Sequence, residues 1–299
     1  MAAQRLEGAM VALVTPFERD GAVNWKRLKE LVRWHEEAGT DWIVACGTTG
    51  EAATLTPEEH AKVTATVVGA VRKARVIGGS GNNDTRKAVR QVKEVCDLGV
   101  DAVLSLAPYY NKPTQEGYFL HFQEIARASE KPIIVYNVPG RTGGNIEAAT
   151  QLRLAKVPNI AAVKEASGNL PQIMKVLAGA PRGFSVLSGD DAVTFPMMAM
   201  GAKGVISVTA NLIPEEIADM VHLCLQGRWG PARAIHERLL PVHDAMFLES
   251  NPIPVKEAMN LAGMRVGPVR LPMTPMAPAN REKLQAVLRQ TGVVQGARA

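Results

Sequence analysis

Eight short apolar runs recur through the first two thirds of the chain, and a stretch of helical length follows each of them. Many residues in the runs are β-branched, and Leu28, Leu31 and Val32 recur at helical spacing after the first run. A strand followed by a helix, repeated eight times, is the pattern of a (β/α)8 TIM barrel, which is an α/β fold. The runs cover residues 9–14, 42–46, 75–79, 101–106, 132–137, 159–164, 184–188 and 203–208.

The strand-helix alternation stops near residue 226. Beyond it, helical periodicity predicts helices over 231–247, 254–261 and 280–290. We therefore expect a catalytic barrel over residues 1–225 and a C-terminal helical domain over residues 226–299. The length of 299 residues suits one barrel of about 250 residues with such an extension.

The charges of the chain are spread rather than clustered. Its net charge of +5 comes from scattered Lys and Arg, without the dense basic run that nucleic-acid binding uses. Hydrophobic residues make up 46% and charged residues 21%, as in ordinary globular enzymes. We expect no nucleic-acid partner and a mild attraction for anionic metabolites.

The cysteines and the apolar segments predict a cytoplasmic protein. Cys46, Cys96 and Cys224 are widely spaced, which indicates reduced thiols rather than disulfides or a zinc site. Residues 1–8 include an acid and no continuous apolar segment, so they do not form a signal peptide. The most apolar stretch, residues 192–213, is interrupted by proline, glycine and lysine, which is not typical of a membrane span.

Lys164 ends the sixth apolar run, where the active site of a barrel lies. Strand alternation places Ile160, Ala162 and Lys164 on one face and Glu165 on the other, so this carboxylate need not pair with the amine. An unpaired amine in apolar surroundings loses its proton more readily. Lys164 is therefore a candidate Schiff-base nucleophile. The alternative is a lysine that merely leaves the sheet into solvent.

Hydroxyl groups follow two other runs. Residues 47–51, Gly-Thr-Thr-Gly-Glu, offer the hydroxyls of Thr48 and Thr49 and closely spaced amides that could hold a small carboxylate. The alternative is a tight turn stabilised by local hydrogen bonds. Tyr136 ends the fifth run on the same face as Ile134, and its phenol could transfer protons. The alternative is a buried tyrosine whose hydroxyl bonds elsewhere.

Three further loops carry polar or aromatic residues. The aromatic loop 109–113 includes Tyr110 and follows the fourth run, and packing against a partner or a neighbouring loop would explain it. Arg141 could bind a carboxylate with two parallel hydrogen bonds, or it could simply be solvated. Asp190 and Asp191 could suggest a metal, but the loops hold no other ligands at suitable density, so we predict no metal site.

These motifs jointly resemble the dihydrodipicolinate synthase family, within the superfamily of pyruvate-dependent class I aldolases and N-acetylneuraminate lyases. The resemblance covers nearly the whole chain. The matching segments are Gly47–Glu51, Tyr109–Pro113, Tyr136–Pro139 with Arg141–Gly143, Val163–Gly168, Ser188–Asp191, Gly204–Asn211 and Asn251–Lys256.

The resemblance implies condensation of pyruvate with aspartate semialdehyde, without metal or organic cofactor, on the diaminopimelate route to lysine. It also implies a homotetramer built as a dimer of dimers. By this resemblance, Lys164 would form the imine with pyruvate, and Thr48, Tyr136 and Tyr110 would form a proton relay, with Tyr110 coming from a neighbouring subunit. Thr49 would bind the carboxylate of pyruvate, and the backbone of Gly189 and Ile206 would line the pyruvate pocket. Arg141 would bind the carboxylate of the aldehyde.

Two alternatives remain open from the sequence. Sialic acid lyases use the same imine, but they usually lack the arginine found here at Arg141 and the segment Asn251–Lys256. The second alternative is a metabolite sensor that has kept the barrel, although such a protein would make no joint use of Lys164, Tyr136 and Thr48.

One part of the family pattern is altered. Lysine-inhibited relatives bind lysine between subunits, and the resemblance maps this site to Ala52, Ala53, Pro57, His60, Asn83, Lys87 and Tyr109. His60, Asn83 and Tyr109 match, but a serine is replaced by Ala52, a histidine by Pro57 and a glutamate by Lys87. Because a cation at Lys87 would repel lysine, we predict weak or absent feedback inhibition.

Overall fold

The computed structural model describes residues 5–293 and contains a closed barrel of eight parallel strands in sequential order. Each strand lies within about two residues of a predicted run, so the predicted TIM barrel is confirmed. The first four residues of the amino-terminal segment considered above lie outside the described range. The strands are β1 Gly8–Ala12, β2 Trp42–Ala45, β3 Arg75–Ser80, β4 Ala102–Leu106, β5 Ile133–Asn137, β6 Ile160–Glu165, β7 Ser185–Ser188 and β8 Gly204–Ser207.

At least one helix follows every strand. Helix α2 shows how the sequence sets a helix start: Thr56 accepts from the Glu59 backbone, Glu59 accepts from the Thr56 backbone, and Pro57 takes the first helical position. The helices are α1 Trp25–Glu37, α2 Pro57–Ala70, α3 Thr85–Asp97, α4 Gln115–Ala128, α5 Pro139–Thr142, α6 Ala148–Leu154, α7 Leu170–Gly179, α8 Thr194–Ala199, α9 Pro214–Leu225, α10 Trp229–Ala245, α11 Ile253–Leu261 and α12 Pro278–Gln290.

Two layers of apolar side chains hold the barrel together. The outer layer lies between strands and helices and includes Val103 of β4 and Phe122 of α4. The inner layer fills the barrel, so this interior is a packed core and not a pore. Every strand contributes at least one residue to it, among them Met10, Val44, Ile77, Leu104, Ile134, Ala162, Leu187 and Ile206.

The expected alternation along β6 fails at its first residue. Ala162 belongs to the inner layer as predicted, but Ile160 packs in the outer layer. The register with β5 shifts at this point, because Ile133 pairs with Ile160 whereas Ile134 pairs with Ala162. An extra residue in one strand reverses the facing of the residues before it, so Ile160 lies on the opposite face from Lys164.

The C-terminal helices α10, α11 and α12 confirm the predicted helical extension. Helix α9 ends at Leu225 and completes the barrel, whereas α11 and α12 pack against each other outside it. The division into domains 1–225 and 226–299 stays a prediction. In the described part of the chain, no helix is both long and apolar enough to span a membrane.

Candidate active site

Lys164 and Tyr136 lie next to each other at the carboxyl ends of β6 and β5. The two residues are paired in the strand register, and the Lys164 Nζ lies 4.2 Å from the centre of the Tyr136 ring. Lys164 is only 5% exposed and Tyr136 only 6%. The barrel therefore brings an amine and a phenol together in a largely desolvated place, as the sequence predicted for their faces.

Glu165 faces away from Lys164, as alternation along β6 predicts. Its carboxylate accepts hydrogen bonds from the side chains of Asn137 over 3.0 Å and Gln151 over 2.6 Å, and from the backbone of Ser167 over 2.7 Å. These donors satisfy the hydrogen-bonding capacity of the Glu165 carboxylate on the outer face of β6. The Lys164 amine is thus left without a neighbouring carboxylate partner on its own strand.

The loop 47–51 turns sharply above β2. Cys46, which precedes the loop, and Glu51, its last residue, have φ angles of 54° and 55°, which are uncommon for residues with a side chain. Thr49 is buried, and its hydroxyl accepts a hydrogen bond from the Asn251 side chain over 2.9 Å. Thr48 is half-buried. Both threonines line the same small cavity as Lys164.

This small cavity has a volume of about 110 Å³, which suits a ligand of a few heavy atoms. Gly189 forms part of its wall, and a Cβ there would lie 2.9 Å from the Lys164 Cε. A larger residue at position 189 would therefore displace the Lys164 side chain. The lining residues are Ala12, Val44, Gly47, Thr48, Thr49, Leu104, Tyr136, Val138, Arg141, Lys164, Ala166, Gly189, Asp190, Val208, Phe247 and Asn251.

Ile206 lies below the cavity rather than on its surface. It is fully buried in the inner layer of the barrel, and Val208, two residues further along the chain, lines the cavity instead. Asp190 is a lining carboxylate to which the sequence assigned no role. Burial and the neighbouring Asp191 raise the pKa of Asp190.

Arg141 connects the small cavity with a larger one of about 460 Å³. Its side chain is exposed, and one guanidinium nitrogen donates to the Asn251 carbonyl over 3.2 Å. Its remaining donors are available to a ligand that enters through the larger cavity. The position agrees with a residue that receives an anionic substrate above Lys164.

Four residues of the mapped lysine site line the larger cavity: Ala52, Ala53, His60 and Tyr109. The Asn83 side chain donates to the Tyr109 carbonyl over 3.2 Å. Pro57 is the first residue of α2, and Lys87 lies exposed in the first turn of α3.

Tyr110 is the one proposed relay residue that the chain does not bring to Lys164. It is 87% exposed, has a φ of 73°, and lines neither cavity. Its backbone N–H donates to the Thr142 carbonyl over 3.2 Å, which anchors the loop that carries it.

Asn251 and Lys256 make contacts with the loop 47–51 that the sequence did not predict. Both belong to a motif that the sequence singled out, but no role was assigned to them. Asn251 bonds Thr49, and Lys256 bonds Glu51 at the end of the same loop. Within residues 5–293, no group of three or more His, Cys, Asp or Glu side chains could hold a metal ion.

The dihydrodipicolinate synthetase family model matches residues 5–291. The chain is 51% identical to the 4-hydroxy-tetrahydrodipicolinate synthase of Koribacter versatilis (strain Ellin345) over 296 residues, which cover 98% of each chain. It is 50% identical to the enzyme of the same name from Geotalea uraniireducens (strain Rf4) over 289 residues, which cover 96% of this chain and 99% of that one.

Solved structures agree with the sequence relatives. The chloride-inhibited dihydrodipicolinate synthase from Acinetobacter baumannii, complexed with pyruvate, superimposes with a TM-score of 0.94 at 43% identity. The dihydrodipicolinate synthase from Aquifex aeolicus gives a TM-score of 0.93 at 43% identity. Each alignment covers 97% of this chain and 100% of the other.

Proposed function

The chain belongs to the dihydrodipicolinate synthetase family, and we propose that Lys164 carries its reaction. The protein is a Schiff-base lyase of the class I aldolase type that acts on small molecules. It condenses pyruvate with L-aspartate 4-semialdehyde to 4-hydroxy-tetrahydrodipicolinate, on the diaminopimelate route to lysine. This function replaces both the sialic acid lyase and the sensor alternatives.

The Lys164 amine attacks the carbonyl carbon of pyruvate, and loss of water leaves a protonated imine. The positive imine nitrogen withdraws electrons, so the adjacent methyl group loses a proton and an enamine forms. The enamine carbon then attacks the aldehyde carbon, which forms the new carbon–carbon bond while the aldehyde oxygen takes up a proton. The amino group that came with the semialdehyde then attacks the imine carbon, which closes the ring and releases the Lys164 amine. Because the imine serves as the electron sink, the reaction needs neither a metal nor an organic cofactor.

The protons in these steps need a donor and an acceptor beside the amine. Tyr136 and Thr48 line the same cavity as Lys164, and their hydroxyls are assigned to this relay. The Thr49 side chain and the nearby amides are assigned to the pyruvate carboxylate. Gly189 and the backbone near Ile206 complete the pyruvate pocket. The shared cavity and the burial of Thr49 support these roles.

Arg141 is assigned to the carboxylate of the incoming semialdehyde. Its side chain opens both to the small cavity and to the larger one, so it can hold the second substrate while pyruvate is bound to Lys164. A guanidinium matches a carboxylate with two parallel hydrogen bonds, which orients the substrate as well as attracting it.

Tyr110 is assigned to the relay of a neighbouring subunit. This assignment requires at least a dimer, and the resemblance to the family suggests a dimer of dimers. The nearly complete exposure of Tyr110 in a single chain supports the proposal, because a partner surface would cover it. We place the protein in the cytoplasm, where the free thiols of Cys46, Cys96 and Cys224 would stay reduced.

The desolvated contact between Lys164 and Tyr136 is the observation that carries this assignment. A coupled assay tests it, with pyruvate, aspartate semialdehyde and a reductase that consumes the product. We expect turnover that requires both substrates. Turnover of a sialic acid in place of these substrates would contradict the proposal.

A further inference from the structure

A buried ion pair lies directly behind the loop that holds Thr48 and Thr49. Lys256 of α11 donates to a Glu51 carboxylate oxygen over 2.8 Å, and the two side chains are 2% and 0% exposed. The other carboxylate oxygen accepts from the Arg270 backbone N–H over 2.9 Å. Residues from the C-terminal part of the chain therefore hold both oxygens of Glu51.

The Lys256 ammonium has no spare hydrogen. Besides Glu51 it donates to the carbonyls of Thr15, over 3.1 Å, and Pro268, over 2.6 Å, and it lies 4.2 Å from the centre of the Phe17 ring. Burying two charges costs hydration that their attraction only partly restores, so such a pair is a weak source of stability. A fully bonded pair does fix one arrangement of the groups around it.

The pair is connected to the loop through a strained backbone. Glu51 has a left-handed φ of 55°, and its N–H donates to the Thr48 carbonyl over 3.0 Å. The Thr15 hydroxyl donates to the Gly50 carbonyl over 2.6 Å, while the Thr15 carbonyl accepts from Lys256. Strain of this kind persists only where the surroundings hold it. Loss of the pair would let the loop relax.

We propose that Lys256 and Glu51 are positioning residues for pyruvate, which act through the backbone of residues 48–51 to hold the hydroxyls of Thr48 and Thr49 beside Lys164. This inference rests on the proposed function. It gives the C-terminal extension a part in catalysis, because Lys256 belongs to α11.

The arrangement is sensitive to alkaline pH. Burial lowers the pKa of Lys256 to about 8, although Glu51 opposes this shift. The other charge that faces the ammonium is Arg270, which is itself bonded to Glu59 of α2 over 2.6 Å. Above pH 8 the amine becomes neutral and its attraction for Glu51 is lost, so the hold on the loop weakens.

The test compares Glu51→Gln with Glu257→Gln. Glu257 lies on the same helix as Lys256 and bonds Arg281 at the surface, away from the site. For Glu51→Gln we expect the KM for pyruvate to rise roughly tenfold or more, since small misplacements of binding groups are costly. Borohydride trapping of the pyruvate imine should slow by a similar factor, while the KM for the semialdehyde stays within about twofold. Glu257→Gln should change none of these values.

A double variant distinguishes a loss of loop positioning from a loss of folding. Lys256→Met alone leaves a buried unpaired carboxylate, whereas Glu51→Gln with Lys256→Met removes both charges. We expect the double variant to melt near the wild type but to keep the raised KM for pyruvate.

The pH profile separates positioning from general stability. Removal of the Glu51 charge favours the neutral form of Lys256, so the alkaline limb of kcat/KM for pyruvate should move to lower pH in Glu51→Gln. Unchanged pyruvate kinetics and an unmoved limb in a folded Glu51→Gln protein would overturn the inference. Absence of trapping in the wild type would instead overturn the proposed function.

Discussion

Tyr136 and Lys164 are paired across neighbouring strands, with the lysine Nζ 4.2 Å from the centre of the tyrosine ring. Parallel strands end at the same side of a barrel, so this pairing places both polar groups at the mouth of the inner apolar layer. Glu165 is turned outward and bonded there, which leaves the amine facing the cavity. The site is thus a consequence of strand register.

Arg141→Ala should affect the second substrate far more than the first. A charge-assisted pair with a carboxylate contributes roughly 1.5–3 kcal/mol, so we expect kcat/KM for the semialdehyde to fall about 10- to 100-fold. Borohydride trapping of pyruvate should stay close to the wild-type rate. Steady-state kinetics with each substrate varied will measure this, with the exposed Lys203→Ala as a control. An equal loss in trapping would contradict the role given to Arg141.

Subunit mixing can test whether Tyr110 serves a neighbouring site. Tyr110→Phe and Lys164→Ala should each be nearly inactive alone. When the two proteins are unfolded, mixed and refolded together, each hybrid dimer would contain one site with an intact Lys164 and an intact partner tyrosine. We therefore expect activity to return after mixing. No recovery in refolded hybrids would contradict the assignment of Tyr110 to a neighbouring site.

Lysine should be a weak inhibitor. Lys87 lies exposed on α3 at the position where the resemblance places a glutamate, and its charge disfavours a cationic ligand. Initial rates at increasing lysine should show half-inhibition only at millimolar concentrations or above. Lys87→Glu should strengthen inhibition, whereas Lys93→Glu on the same helix should not. Half-inhibition of the wild type below millimolar lysine would refute this prediction.

Acid should destabilise the fold through its buried histidines. Burial lowers the pKa of His35 to about 3 and that of His121 to about 4, from an ordinary value of 6.5. Below pH 6.5 these histidines become protonated in the unfolded chain but stay neutral in the folded chain. The free energy of unfolding therefore falls as the pH drops toward 4. Each such group contributes a slope of up to about 1.4 kcal/mol per pH unit.

Urea unfolding between pH 8 and pH 5 measures this slope. His35→Gln should reduce the slope. His222 provides a control of opposite sign, because its hydrogen bond to Asp41 raises its pKa and its contribution is lost as the pH rises. A wild-type stability that stays constant from pH 7 to pH 5 would contradict the assignment of neutral buried histidines.

The sequence was sufficient to predict the features that depend on local pattern. Apolar runs of the right length predicted the strands, and alternation correctly set the facing of Tyr136, Lys164 and Glu165. The facing predicted for Ile160 by alternation was wrong, because a bulge depends on how two strands pair and cannot be recognised from the residue pattern of one strand.

The missed features join residues that are distant in the chain. Lys256 and Glu51 are 205 residues apart, and Asn251 and Thr49 are 202 apart. Neither pairing follows from helical or strand periodicity, since each depends on where the C-terminal extension packs. The exposure of Tyr110 likewise depends on what covers a surface, which one chain does not specify.

The central claim is that Lys164 forms the pyruvate imine, and one measurement tests it directly. Wild-type protein is treated with pyruvate and borohydride, and the modified peptide is identified by mass spectrometry. We expect a reduced pyruvyl adduct on Lys164, and neither adduct nor turnover in a folded Lys164→Ala protein. An adduct on another lysine, or full activity in Lys164→Ala, would contradict the account.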